Sequence, residues 1–220
     1  SKNTGLTTNW WPILLDHYSI LPKWLKVSQV LDYVEAVHPR FERKKAEDFL
    51  LTTDIPSKKR VKELSKGMVT QLHLALVMAI DVQLLVLDEP TLGLDIIYRK
   101  GFYDRLLNDY YDGNRTIIIS THQVEEIEVL LSHLIFIDRG KIVLNEMMSD
   151  LADIYVEVLV DADKIEKAEA LNPISTRRIL GKTACTYESV PKGQLEALGD
   201  LHSPSVADLF VAKMKDIHHG

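Results

Sequence analysis

The spacing of apolar residues changes character once along this chain. From Ser28, Leu31, Val34 and Val37 recur at three-residue steps, which predicts a helix that Pro39 stops. A second helix is expected from Arg43 to Leu51, and Ile55-Pro56-Ser57 then opens a polar, basic loop. A third helix starting at Ser65 would place Met68, Leu72, Ala75, Leu76 and Ala79 on one face. Residues 1–26 carry aromatics and prolines without a clean period, so the first section reads as helical from Ser28 onward.

A different pattern begins at Leu84-Leu85-Val86-Leu87, a continuous apolar run of the kind found in strands covered on both faces of a parallel sheet. A helix is expected from about Ile97 to Tyr111, ending at Gly113. The β-branched run Thr116-Ile117-Ile118-Ile119-Ser120 predicts a second buried strand. A short helix through Val124 to Leu131 would lead to a strand at Leu134–Ile137, which turns at Arg139-Gly140 into Lys141–Leu144. Strands and helices alternating in this order indicate an α/β sheet with right-handed crossovers. Beyond Leu151 a strand at 155–160, a helix at 164–170, a hairpin about Gly181-Lys182 and helices near 193–198 and 205–215 predict a small α+β appendage. The expected division is therefore 1–151, with a helical part at 28–81 and a sheet part at 82–151, followed by 152–220.

Composition narrows the function classes. Of 220 residues 46% are hydrophobic and 26% charged, enough apolar material for a real core. A formal net charge of −6 argues against a nucleic-acid surface, and Lys58-Lys59-Arg60 with Lys62 reads as a solvated loop. Cys185 is the single cysteine, which fits a reducing compartment and a packing role. No secretory leader is recognisable, and Leu74–Leu87 is too short and too interrupted by Asp81 and Gln83 to span a bilayer. The chain thus reads as soluble and cytosolic, meeting a membrane only through a partner.

The apolar run at 84–87 ends in Asp88-Glu89-Pro90, placing two carboxylates at the carboxyl edge of the sheet, where open α/β folds bind ligands. The first acid suits a Mg²⁺ ion, held directly or through water; the second can polarise a water molecule for attack on phosphate. Both also fit the ordinary capping of a following helix. Ser65 and Gly67 at a helix start offer a hydroxyl and free N–H groups to a phosphate, or a plain N-cap. His122 follows the 116–120 strand at the same edge, if the strands run parallel.

Taken together, Leu64-Ser65-Lys66-Gly67-Met68, Leu84 to Asp95 and Ile117 to His122 resemble the signature, Walker B, D-loop and switch-histidine series of ABC ATPases. Order and spacing match, and Ile137 to Ile142 continues the resemblance into the family's final hairpin. Residues 203–210 resemble the tail of bacterial subunits that pair with separate permeases. The resemblance implies a partial P-loop ATPase (ABC cassette) core with a helical subdomain. It further implies ATP and Mg²⁺ as cofactors, a second cassette and an integral membrane permease as partners, and a place at the inner face of the cell membrane. By position, Asp88 would serve Mg²⁺ and Glu89 would be general base or water-orienting group. His122 would contact the γ-phosphate and Asp95 would link two subunits. Ser65, Lys66 and Gly67 would meet nucleotide held by the opposite subunit.

The sequence departs from the family in one respect that matters chemically. Gly-x-x-x-x-Gly-Lys-Ser/Thr, the Walker A phosphate cradle, occurs nowhere in it; Gly181-Lys182-Thr183 lacks the first glycine and lies beyond the Walker B strand. The Q-loop is expected near Asp16 to Leu21, with Asp16 or His17 in place of its glutamine. Lys66 and Met68 replace the commoner glycine and glutamine of the signature. Three functions follow: an energy-coupling ATPase subunit, a non-hydrolytic module that completes a partner's site, or an ABC ATPase acting on DNA or ribosomes. The acidic charge and the lack of a tandem cassette oppose the last.

Overall fold

A computed structural model describes residues 13–15 and 21–219, divided between two compact units, Ser1–His122 and Gln123–Gly220. In the first unit, α1 (Val27–Val37) buries Val27, Val30 and Leu31 along one stripe, and His38 before Pro39 turns extended and ends it. The helix α2 (Arg43–Leu50) buries Ala46, Phe49 and Leu50. Arg43 ties the two helices together, pairing with Asp32 at 2.7 Å and Glu35 at 2.9 Å on α1 and with Glu47 at 2.8 Å on α2. The third helix, α3 (Lys66–Met78), is more enclosed than its sequence face suggests. Leu72, Ala75 and Leu76 are buried as expected, and so are Gln71, Leu74 and Val77, while Met68 is only half-buried.

Three parallel strands follow in the order β1 (Ile13–Leu15), β2 (Leu84–Asp88) and β3 (Thr116–Ser120). The central strand buries Leu85 and Leu87 completely, whereas Leu84 and Val86 are half-buried. The outer strand corrects the sequence expectation: β3 alternates exposed and half-buried residues, and Ile118 is 51% exposed. Among the described residues β3 has a neighbour on one side only, so an apolar β-branched composition does not bury it. Helix α4 (Ile96–Arg105) joins β2 to β3 and closes with one π turn, Leu106–Tyr110. Its anchors are Phe102, Tyr103, Leu106 and Tyr110, with the Tyr110 hydroxyl donating to the Ile80 carbonyl at 3.2 Å.

In the second unit β4 (His133–Asp138) and β5 (Lys141–Met147) form the expected hairpin, with Arg139 and Gly140 both at positive φ in the turn. The helix expected at 124–131 is instead two short 3₁₀ turns. Val124, Ile127 and Val129 are β-branched, and Glu125, Glu126 and Glu128 crowd like charges into one turn, both unfavourable to an α-helix. After α5 (Met148–Ile154), an antiparallel sheet runs in the order β7-β8-β6-β9: Ser175–Ile179, Lys182–Glu188, Tyr155–Val160 and Gly199–His202. The helix expected at 193–198 is the shorter α7 (Lys192–Leu195), followed by a turn at 196–198, and β9 begins at Gly199, where the sequence reading placed no element. Gly199 is needed there, because a Cβ would meet the Leu159 carbonyl oxygen at 2.3 Å.

Val156, Val158, Val160, Cys185, Tyr187, Leu195 and α6 (Ile165–Glu169), through Ala168, make one core of this unit. Cys185 has the packing role expected of it. A second core gathers Leu134, Phe136, Leu144 and Tyr155 around Val206 and Leu209 of α8 (Val206–His219). No helix among the described residues is long and apolar enough to cross a membrane.

Candidate functional site

Parallel pairing of β2 with β3 sets Asp88 opposite Ser120, so the residues just beyond each strand meet at the same edge. Asp88 is exposed and its Oδ1 accepts a short hydrogen bond from the Ser120 hydroxyl. Glu89 donates its main-chain N–H to the Ser120 carbonyl at 2.9 Å and turns the chain with φ of 45°. A left-handed backbone at a non-glycine residue costs about 1–3 kcal/mol and persists only where its surroundings hold it. Here they do. The Glu89 carboxylate accepts from the His122 N–H at 2.9 Å, from His122 Nδ1 at 2.6 Å and from the Thr121 hydroxyl at 3.4 Å. Three of the expected residues, Asp88, Glu89 and His122, therefore converge. Ser120 and Thr121 join them, although neither was expected to have a role beyond the strand; their signal was a hydroxyl in register opposite Asp88 and a second one directly after it.

A second constellation lies where α3 and α4 begin. The Ser65 hydroxyl caps α3 by accepting from the Met68 N–H at 3.2 Å, and Lys66 is exposed beside it. Asp95 caps α4, its Oδ1 accepting from Ile97 N–H at 3.0 Å and Tyr98 N–H at 3.1 Å. Between Glu89 and Asp95 the chain makes a tight turn, with Leu92 N–H donating to the Glu89 carbonyl and Gly93 at φ of 83°. Gly67 and Gly93 face each other: a Cβ on Gly67 would make ordinary contact, 3.4 Å, with the Gly93 oxygen. Ser65, Gly67, Met68, Gln71, Gly93, Leu94, Asp95 and Tyr98 line a groove of about 270 Å³. Ser65, Gly67 and Asp95 thus share one wall system, distinct from the acid edge but joined to it by the 89–95 turn.

No protein-family model matches the chain. Among curated proteins it is 27% identical over 135 residues to ABC transporter ATP-binding protein YtrB of Bacillus subtilis, covering 61% of this chain and 46% of that protein. It is 33% identical over 164 residues to Nod factor export ATP-binding protein I of Cupriavidus metallidurans, covering 69% and 54% respectively. The chain belongs to the ABC ATP-binding proteins. It spans about half the length of the curated relatives it matches. A solved structure described as the ATP-binding subunit of an ABC transporter shares the fold, with a TM-score of 0.53 and 20% identity over 64% of this chain and 60% of that one.

Within the ABC frame, a Mg²⁺ ion would have to be held mainly by water and phosphate. Asp88 offers one exposed carboxylate, and no group of three His, Cys, Asp or Glu side chains suited to a metal occurs among the described residues. One carboxylate with water and phosphate oxygens is an ordinary Mg²⁺ arrangement, so the residues present fit that ion. The ABC phosphate cradle has no counterpart in the sequence. Gly181-Lys182-Thr183 sits at the β7–β8 turn, where Lys182 pairs with Asp161 at 3.2 Å. The Q-loop candidates Asp16 and His17 lie outside the described residues.

Proposed function

We propose that this chain is the signature-, Walker B- and switch-bearing portion of an ATP-binding and ATP-hydrolysing subunit that drives transport through a membrane permease. In this reading Asp88 serves Mg²⁺, Glu89 orients or deprotonates the attacking water, and His122 meets the γ-phosphate. Ser65, Lys66 and Gly67 present a helix N-terminus to nucleotide on a facing cassette, and Asp95 lies at the junction. The observation that carries the reading is the strained Glu89, whose carboxylate is aimed by His122 at the sheet edge beside Asp88. A facing cassette is supported by Leu92, Ile96 and Ile97, which are exposed beside the groove at 40%, 69% and 79%. The chain itself would stay on the cytoplasmic side of the membrane, held there by its permease.

The exposed Ser65–Lys66 helix start beside a groove also supports a second reading, in which the chain completes a partner's ATP site without hydrolysing ATP itself. One pair of experiments separates them. The chain is mixed with a curated relative whose own signature serine has been replaced, and ATP turnover is followed. Restored turnover supports a signature surface working in trans; none refutes it. Calorimetry with Mg²⁺-ATP is then run on the chain alone and on a chimera preceded by the phosphate-loop half of that relative. Binding and turnover by the chimera only supports the hydrolytic reading. Binding without turnover supports the completing module.

A further inference from the structure

The Tyr98 hydroxyl joins segments distant in sequence. It donates to Asp54 Oδ2 at 3.3 Å, in the turn after α2, and the side chain of Gln71 on α3 lines the same groove beside it. Gln71 is 7% exposed, so it forms part of the wall itself. The main-chain N–H of the same tyrosine is held by Asp95. Tyr98 therefore grips the end of the Gly93–Asp95 turn with its backbone and the turn after α2 with its ring oxygen. Both walls of the groove meet at this one residue, which lines it together with Gly67 and Gly93. The Asp54 charge, with partial burial, raises the Tyr98 hydroxyl above the ordinary phenol range, so it stays protonated and able to donate near neutral pH.

We propose that Tyr98 is a positioning residue: through Asp54 and Asp95, and beside Gln71, it fixes the spacing between the Ser65–Gly67 wall and the Gly93–Asp95 wall. That spacing sets how the groove meets the phosphates of a nucleotide on a facing cassette. The second half of the inference rests on the function proposed above; the brace itself does not.

The test uses Tyr98→Phe, which keeps the ring and removes only the hydroxyl, and Asp54→Asn, which keeps an acceptor. Hydrogen exchange on the chain alone should show amides 93–98 opening about tenfold faster in Tyr98→Phe, with β2 and β3 unchanged and Asp54→Asn close to wild type. In the mixed assay with the signature-defective relative, Tyr98→Phe should lower the maximal restored rate about tenfold at an unchanged half-saturating chain concentration. A purely structural defect would instead shift that concentration. Unchanged exchange overturns the brace whatever the turnover assay gives. Faster exchange with undiminished turnover overturns the positioning role. If the wild-type chain restores no turnover, the proposed function and the nucleotide half of the inference fail together, while exchange still decides the brace.

Discussion

Glu89 Oε1 accepts two hydrogen bonds from a single residue, the main-chain N–H of His122 at 2.9 Å and its ring Nδ1 at 2.6 Å. An ionised carboxylate only accepts, so Nδ1 carries a hydrogen in this arrangement and Nε2 is the ring nitrogen left for a ligand. Glu89 thereby fixes the histidine's tautomer, and His122 fixes the direction of the carboxylate. The strained backbone at Glu89 is held by the partners that its function would require.

Glu89→Gln should separate orientation from proton transfer. The glutamine oxygen can still accept from His122, so the edge keeps its shape, but the group can no longer take a proton. In the chimera that supplies a phosphate loop, turnover should fall by about 10²–10⁴-fold while Mg²⁺-ATP binding by calorimetry persists. Undiminished turnover would remove Glu89 from the role proposed for it.

Ser65 is an N-cap in the structure and a phosphate contact in the proposal, and the two can be told apart. Ser65→Ala should lose about 1 kcal/mol of stability with the cap. Ser65→Asp keeps a capping oxygen and so should hold wild-type stability in urea unfolding. Both should fail to restore turnover to the signature-defective relative, the aspartate because its charge repels phosphate. A Ser65→Asp chain that restores turnover fully would reduce Ser65 to its cap.

The tail helix offers a pH test. Lys213 donates to both oxygens of Glu188, at 2.7 and 2.8 Å, and Tyr155 donates to the same carboxylate at 2.9 Å. Burial pushes the Glu188 carboxyl up, but these hydrogen bonds and the lysine charge together outweigh it and hold the group below the usual carboxylate range. Burial likewise pulls Lys213 down, and Glu188 with Tyr155 more than reverses it. A carboxylate depressed in the folded state stabilises fully above its unfolded value, about 4.3, and that contribution is lost as pH falls through the folded value. A lysine raised in the folded state stabilises fully below about 10.4 and loses the contribution as pH rises through its folded value. The stability gap between wild type and Lys213→Met should therefore be widest near neutrality and shrink on acidification below about pH 4. A gap equally wide at pH 7 and pH 3 would contradict the pairing.

The acid edge was legible because two parallel strands in register bring their ends together, and the sequence marks both ends with polar residues. Position along a strand was enough to predict that Asp88, Glu89 and His122 meet. What the sequence did not disclose was cover. Ile117-Ile118-Ile119 looks buried by composition, yet burial depends on what packs over the strand, and no local pattern records that. The 124–130 turns were not legible, and β9 left no signal, for a related reason. Short segments lack enough residues for a period to show, and the close backbone approach that requires Gly199 depends on Leu159, forty residues away in sequence. Tyr98 escaped notice because its partner Asp54 and its groove neighbour Gln71 come from two other elements.

The β7–β8 hairpin makes the last prediction. Leu180 and Gly181 both have positive φ, 46° and 85°, which is the two-residue turn that suits strand twist and favours Asn-Gly. A leucine in this conformation is strained by its Cβ, and the Leu180 side chain is wholly exposed, so it returns no burial to offset the strain. Leu180→Asn should therefore stabilise the second unit by about 0.5–1 kcal/mol, read as a higher urea midpoint at unchanged slope. Gly181→Ala should do the reverse, because alanine brings a Cβ to the more extreme φ. If Leu180→Asn lowers the midpoint, the leucine is held by a contact outside this hairpin and the turn is not what limits it.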